Sequence, residues 1–175
     1  GDATYALSRV GEMITMLTEG NLDMVVGARQ DDHQDAATYR RGHRWGNRML
    51  TGAVVSIFGG QFNDMLSGLR VFSRRYAKSF PAQSHGFEIE TELTVHALEL
   101  RLPWAELPTL YRSRPEGSVS KLSTYKDGWR ILMTITKLFI SERPRQFFLW
   151  VAALLTVAAG GLAVPLVLTR VVTGL

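Results

Sequence analysis

Carboxylates, arginines and small polar residues fall in short clusters ahead of a long apolar run near the carboxy terminus. Asp64 lies in Asn63-Asp64-Met65-Leu66-Ser67-Gly68-Leu69-Arg70. An Asp there can line a site or form an Asx turn before Ser67-Gly68. Glu88, Glu90 and Glu92 form an acidic run. On a helix, Glu88 and Glu92 share a face and Glu90 points elsewhere. Arg29 follows a strand-like stretch, and Arg40 stands in a basic cluster with Arg41, Arg44 and Arg48. Guanidinium forks suit two-pronged contacts to phosphate. A solvated or lipid-facing basic face explains the cluster about as well. Ser118 to Lys121, with Ser120 between them, is a small polar loop carrying a cation. Such a loop can present N–H groups, hydroxyls and an ammonium to phosphate, or simply face solvent. Asp2, in the opening polar turn, reads on its own as a turn or helix-cap residue. His33, His43, His85 and His96 show no metal-ligand spacing. Trp45, Trp104, Trp129 and Trp150 read as core or interface anchors rather than a sugar-stacking platform.

Alternating strands and helices must position these groups. Ser8 to Glu19 reads as a helix with Val10, Ile14 and Leu17 on one face, ended by Gly20-Asn21. Leu22 to Gly27 reads as a short buried strand and Gln30 to Thr38 as a polar loop. Arg44 to Phe58 is helical, closed by Gly59-Gly60. Asn63 to Phe72 runs from loop into strand. Phe87 to Leu100 is a helix whose early acids suit the positive end of its dipole. Trp104 to Tyr111 reads as a strand broken by Pro108. Tyr125 to Ile140 is an amphipathic helix with Trp129, Leu132, Ile135 and Phe139 at helical spacing. It can rest in a membrane interface or pack on the domain core. The pattern is that of an α/β domain.

From Phe147 to Leu168 the chain carries no charge, and Arg143, Arg145 and Arg170 bracket the run. A bilayer core of roughly 30 Å needs about 20 apolar residues at helical rise, so the run is long enough to cross. Gly160, Gly161 and Pro165 are tolerated in such a helix. The net charge is +4 with a pI near 9.7, and the acidic residues all precede the apolar run. Mild basicity beside a membrane helix favours an anionic membrane surface or phosphate ligands over nucleic acid. The absence of cysteine excludes disulfides and Cys-ligated metal.

Taken in order, five groups of residues carry a resemblance. They are Gly1-Asp2-Ala3-Thr4-Tyr5; Val26-Gly27-Ala28-Arg29 with Arg40 to Arg48; Asn63 to Phe72; Gly86-Phe87-Glu88-Ile89-Glu90-Thr91-Glu92; and Tyr111 to Arg114 with Glu116 to Leu122. The chain resembles the dolichol-phosphate mannose synthase-like and polyprenyl-phosphate glycosyltransferases. These are inverting GT-A enzymes with membrane helices after the catalytic domain. The resemblance covers nearly all of residues 1–148. It implies the carboxy-terminal part of a Rossmann-like GT-A domain over 1–124, a juxtamembrane amphipathic helix over 125–142 and a transmembrane helix over 147–170. The donor-binding half would precede residue 1. Asp2 resembles the second Asp of the family's DxD motif and would ligate Mg²⁺ or Mn²⁺. Asp64 and Glu90 would be catalytic, and Arg29, Arg40, Arg114, Ser120 and Lys121 would hold the acceptor phosphate. Ala28 departs from the family's Gly-Ser-Arg. Asp64 has its own qualification. A phosphate monoester is already anionic near neutral pH, its second pKa lying near 6, so it needs orientation more than deprotonation.

The implied activity is transfer of a sugar from a nucleotide-sugar donor to a polyprenyl or dolichyl phosphate, with inversion. The arginines before the apolar run point to a catalytic domain on the cytoplasmic side, in a bacterial inner membrane. Nucleic acid is not an expected partner, and oligomeric state, homo-oligomer included, stays open. Two rivals remain. A processive polysaccharide synthase needs Gln-x-x-Arg-Trp, but Arg44-Trp45 precedes Asp64 and lacks the Gln. A membrane-tethered scaffold would need no catalytic groups at all.

Overall fold

The computed structural model describes residues 7–31, 41–84, 86, 88–111 and 124–174. A 3₁₀ turn, Leu7–Arg9, leads into α1, Val10–Glu19, and then into the strand β1, Met24–Asp31. The helix α2, Arg41–Phe58, precedes a short strand β2, Arg70–Phe72. A six-residue helix α3, Arg74–Ser79, and α4, Ile89–Glu99, lead to β3, Trp104–Tyr111. The chain ends in α5, Thr124–Glu142, and α6, Pro144–Thr173.

The sheet has the order β2-β1-β3. The central strand pairs antiparallel with β2, Val25 opposite Val71, and parallel with β3 from Met24↔Trp104 to Asp31↔Tyr111. Side chains on β1 alternate between two cores, as the two-residue period of a strand requires. Met24 and Val26 pack with Phe62, Tyr76 and Ala97, joined by Val55 of α2 and Leu93 and Leu98 of α4. Val25 packs on the other face with Met13 of α1 and Leu107 of β3. A strand buried on both faces reads as a continuous apolar run, which is why Met24-Val25-Val26 shows no alternation in sequence. Each fully buried side chain of this kind contributes about 1.5–3 kcal/mol.

Helix ends follow local chemistry. At the end of α1 it is Asn21, at φ 48°, that takes the left-handed conformation, and Leu22 N–H bonds Leu17 C=O at 2.9 Å. Asn tolerates this region better than other side-chain-bearing residues. At the end of α2, Gly59 and Gly60 both have positive φ (87° and 89°), as the sequence suggests.

Several expectations need correction. The strand expected over Leu22 to Gly27 runs instead from Met24 to Asp31, because eight register pairs with β3 carry it through the polar residues Arg29 and Gln30. Pro108 does not break β3. The ladder continues through it opposite Ala28, and among the described residues β3 is an edge strand, where a missing N–H is tolerated. On α1 the buried residue is Met13, while Ile14 is 48% exposed. On α5 the buried positions are Asp127, Ile131 and Ile135, and Trp129 is exposed. At 3.6 residues per turn, Trp129 and Ile135 lie about 120° apart, too far to share a face. Glu92 is buried; it accepts from Gln83 N–H, Ser84 N–H and Ser84 Oγ and so anchors the approach to α4. The helix α3 has no counterpart in the sequence reading. Ser73 caps it by accepting from Tyr76 N–H at 3.0 Å.

The chain divides into two compact units, Gly1–Thr136 and Lys137–Leu175. In the second, Pro144–Pro165 is long and apolar enough to cross a membrane, with mean hydropathy 2.2 and none of its apolar window buried. Thr156 Oγ1 donates to Ala152 C=O at 2.8 Å, so that hydroxyl is satisfied within its own helix.

Candidate active site

The site forms at the carboxyl end of β1. Ligands of open α/β sheets bind outside the carboxyl ends of the strands, where the loops converge. Arg29 sits in β1, and Asp64 lies in the loop between α2 and β2. Arg29 Nε donates to Asp64 Oδ2 at 2.6 Å and Arg29 Nη2 to Asp64 Oδ1 at 2.8 Å. Arg29 N–H adds a third bond to Oδ2 at 3.2 Å, and Asn47 Nδ2, from α2, donates to Oδ1 at 3.0 Å. The pair is largely shielded, with 17% of the Arg29 side chain and 8% of Asp64 exposed. Burial opposes ionisation of Asp64, but the hydrogen bonds and charge of Arg29, with Asn47, outweigh it and hold the carboxyl below its ordinary range. Asp64 is therefore an ionised, fully engaged carboxylate.

The turn that carries Asp64 is itself held. Glu106 of β3 accepts from Asn63 N–H, Asn63 Nδ2 and Asp64 N–H. Ser67 Oγ, wholly buried, donates to Gly27 C=O at 2.5 Å. Arg70 Nε donates to Ser67 C=O at 3.0 Å, and its Nη2 donates to Met65 C=O. Arg70 Nη1 reaches Thr94 Oγ1 of α4 at 3.0 Å. The Asp64–Arg70 segment is thus tied to β1, β3 and α4.

Glu90 stands in the first turn of α4, close to Gly68: a Cβ added at Gly68 would lie 3.6 Å from Glu90 Oε1. Its Oε2 is buried and has no hydrogen-bond partner among the described residues. Burial raises the carboxyl's pKa, and the charges of Arg70 and Arg29 offset this only in part. Two carboxylates near one arginine are thus driven apart, Asp64 down and Glu90 up, a pattern typical of sites that divide roles between acids.

Of the residues singled out by sequence, the structure brings Arg29 and Asp64 into direct contact and places Glu90 within reach of the Arg29 charge. Asp2, Arg40, Arg114, Ser120 and Lys121 lie outside the described residues. Among the described residues no three His, Asp or Glu side chains cluster as metal ligands. The Asp64 oxygens, already engaged by Arg29 and Asn47, do not fit that role as they stand. Sequence reasoning missed Asn47 and Glu106. The only signal for Glu106 is a charge inside the otherwise apolar start of a strand, Trp104-Ala105-Glu106-Leu107. His96 packs with its ring edge-on to Tyr76 and Phe80. Trp104 stacks on Phe62 in the core, with ring centroids 3.7 Å apart.

No family model matches the chain. Among known proteins it is similar to an uncharacterized protein of Shigella flexneri, 58% identical over 111 residues, covering 63% of this chain and 68% of that protein. It is 35% identical over 163 residues to glycosyltransferase AglJ of Haloferax volcanii, covering 93% of this chain and 53% of AglJ. It is 31% identical over 130 residues to the low-salt glycan biosynthesis hexosyltransferase Agl6 of the same organism, covering 74% of this chain and 31% of Agl6. The chain therefore spans about half the length of AglJ and less of Agl6. With an α/β sheet carrying a largely shielded Arg29–Asp64 pair and with these relatives, the chain belongs to a glycosyltransferase family.

Proposed function

We propose that the protein transfers a hexose from a nucleotide-sugar donor to a polyprenyl phosphate at a membrane surface, with inversion at the anomeric carbon. The observation that carries this reading is the locked Arg29–Asp64 pair beside Glu90, whose buried Oε2 has no partner among the described residues. An anionic acceptor needs a fixed cation, and Arg29 is fixed by a carboxylate that grips two edges of its guanidinium. Asp64 then acts as the residue that orients Arg29, rather than as the base that its position in the family pattern suggests. Its depressed pKa makes it a weak proton acceptor, and a phosphate monoester needs little deprotonation. Glu90 Oε2 is suited to bind a hydroxyl of the transferred sugar, which would supply its missing partner.

In the reaction, a phosphate oxygen of the lipid attacks the anomeric carbon, the glycosidic C–O bond to the diphosphate breaks, and the nucleoside diphosphate leaves with the electron pair. Asp2 is proposed to hold Mg²⁺ or Mn²⁺, which would neutralise charge on the leaving diphosphate. Arg40, Arg114, Ser120 and Lys121 are proposed as further acceptor-phosphate contacts, α6 as a membrane span and the Trp129 face of α5 as a surface resting on lipid. The AglJ and Agl6 names support a glycosyl and a hexosyl transfer respectively.

The direct test reconstitutes the full-length protein in lipid vesicles with polyprenyl phosphate and radiolabelled nucleotide hexoses. The expected product is organic-soluble label that mild acid releases as the free sugar. Absence of such label across uridine- and guanosine-diphosphate hexoses would sink the reading. Chelation should abolish transfer and Mn²⁺ restore it; full activity in excess chelator would remove the metal from the proposal.

A further inference from the structure

Glu106 occupies a position that packing alone does not explain. On β3 it shares a face with Trp104, and its register partner on β1 is Val26. That face otherwise packs Met24, Val26, Phe62 and Trp104, an apolar set. A carboxylate placed there must be matched by donors, and it is. Glu106 Oε1 accepts from Asn63 N–H at 2.9 Å and Asp64 N–H at 3.2 Å, and Oε2 accepts from Asn63 Nδ2 at 2.6 Å. The preceding residue, Phe62, stacks on Trp104, with rings 10° from parallel. Two side chains on one face of β3 therefore hold three consecutive loop residues, Phe62, Asn63 and Asp64.

Asp64 is thus gripped from two neighbouring strands. Glu106 of β3 fixes its backbone, while Arg29 of β1 takes both of its carboxylate oxygens. The parallel β1–β3 ladder sets the spacing between the two grips. We infer that Glu106 is a positioning residue for acceptor binding, aiming Asp64 so that it holds Arg29 in the phosphate-binding orientation. This rests on the proposed function for the identity of the acceptor, but the grip on Arg29 can be read without it. The chemistry requires a carboxylate. The two backbone groups facing Glu106 are N–H donors, and a Gln in its place loses the charge and keeps its contact with the Asn63 side chain only if that amide turns over to present its oxygen.

The test uses the full-length protein in lipid vesicles or nanodiscs and compares wild type, Glu106→Gln, Asn63→Ala, Asp64→Asn and the double variant Glu106→Gln/Asp64→Asn. For Glu106→Gln the KM for polyprenyl phosphate should rise about tenfold, the scale of one charged hydrogen bond, with the donor KM unchanged. Asn63→Ala removes one donor and keeps the two backbone bonds, so it should shift the acceptor KM the same way by less. Because Glu106 acts through Asp64, adding Glu106→Gln to Asp64→Asn should cost little more than Asp64→Asn alone. Additive losses, or equal rises in both KM values, overturn the inference. The second readout is the Arg29 Nε–H proton resonance, which should shift and exchange faster in both Glu106→Gln and Asn63→Ala. If it is unchanged in both, the inference fails whatever the activity. If wild type moves no sugar to polyprenyl phosphate while this resonance responds as expected, the functional reading fails and the positioning of Arg29 stands.

Discussion

Asp64 and Glu90 are two carboxylates under one arginine's influence, and their opposite shifts make opposite predictions. A depressed carboxyl stabilises the fold above its unfolded pKa, and that contribution is lost as pH falls through the folded value. Asp64 and Asp23 are both of this kind. Asp23 is held down by hydrogen bonds from Arg75 and Ser73 and by the Arg75 charge, against its burial. Asp64→Asn leaves Arg29 facing a neutral amide and should cost about 3 kcal/mol in chemical denaturation near neutral pH, with a large loss of transfer. The difference from wild type should narrow in acid, where Asp64 itself becomes protonated. Glu90 has the reverse sign. Its contribution is intact at low pH and lost as pH rises through its raised folded pKa. Glu90→Gln, which is never charged, should therefore match wild type in acid and gain on it in denaturant midpoint as pH rises. A constant difference across pH would show that burial does not govern Glu90. Arg29, Asp64 and Glu90 were legible in sequence because each lies in a short motif. Asn47 and Glu106 were not, since their roles depend on where α2 and β3 lie against the Asp64 loop, and hydrogen bonds spanning 17 to 43 residues leave no local trace.

At the scale of elements, the site depends on α2 stopping where it does, because the Asp64 loop starts there. Gly59 and Gly60 make that stop, both at positive φ. A Cβ on Gly60 would also lie 2.6 Å from Leu98 Cδ2, a flexible side-chain end on α4. Gly60→Ala should destabilise by at least about 1 kcal/mol from backbone strain alone, read as a lowered thermal midpoint. The α2 stop was visible from Gly59-Gly60, as the end of α1 was from Gly20-Asn21. The short helix α3 was not, because six residues give no usable periodicity and its cap, Ser73, is a common loop residue. The length of β1 was missed for a related reason. Arg29 and Gln30 look like loop, and only pairing with β3 makes them strand. The misjudged face of α5 came from accepting steps of three residues as one stripe. The exposed stripe contains Trp129 and Met133, flanked by Lys126 and Arg130.

For the whole molecule, the question is what α6 is for. Its apolar window was legible from composition alone, because hydropathy needs no knowledge of contacts. The side chains of Leu154, Leu155, Val157 and Leu162 are 62–78% exposed. An exposed apolar surface of this extent requires another apolar environment. At 1.5 Å per residue, the 22-residue window from Pro144 to Pro165 spans about 33 Å, enough for a bilayer core. A substitution separates a membrane helix from one merely exposed to water. Leu154 lies near the middle of the window and is 70% exposed. In water, Leu154→Arg at such a position should change stability by no more than about 0.5 kcal/mol. In a bilayer it should oppose insertion by about 2.5–3.5 kcal/mol. The same charge at Thr169, beyond the window, can reach the interface by extending its side chain and should be tolerated. The measurement is the fraction of full-length protein that stays with membranes after alkaline extraction. Loss for Leu154→Arg with retention for Thr169→Arg is the outcome a spanning helix requires. Equal retention of both would mean that α6 meets its apolar partner elsewhere than in a bilayer.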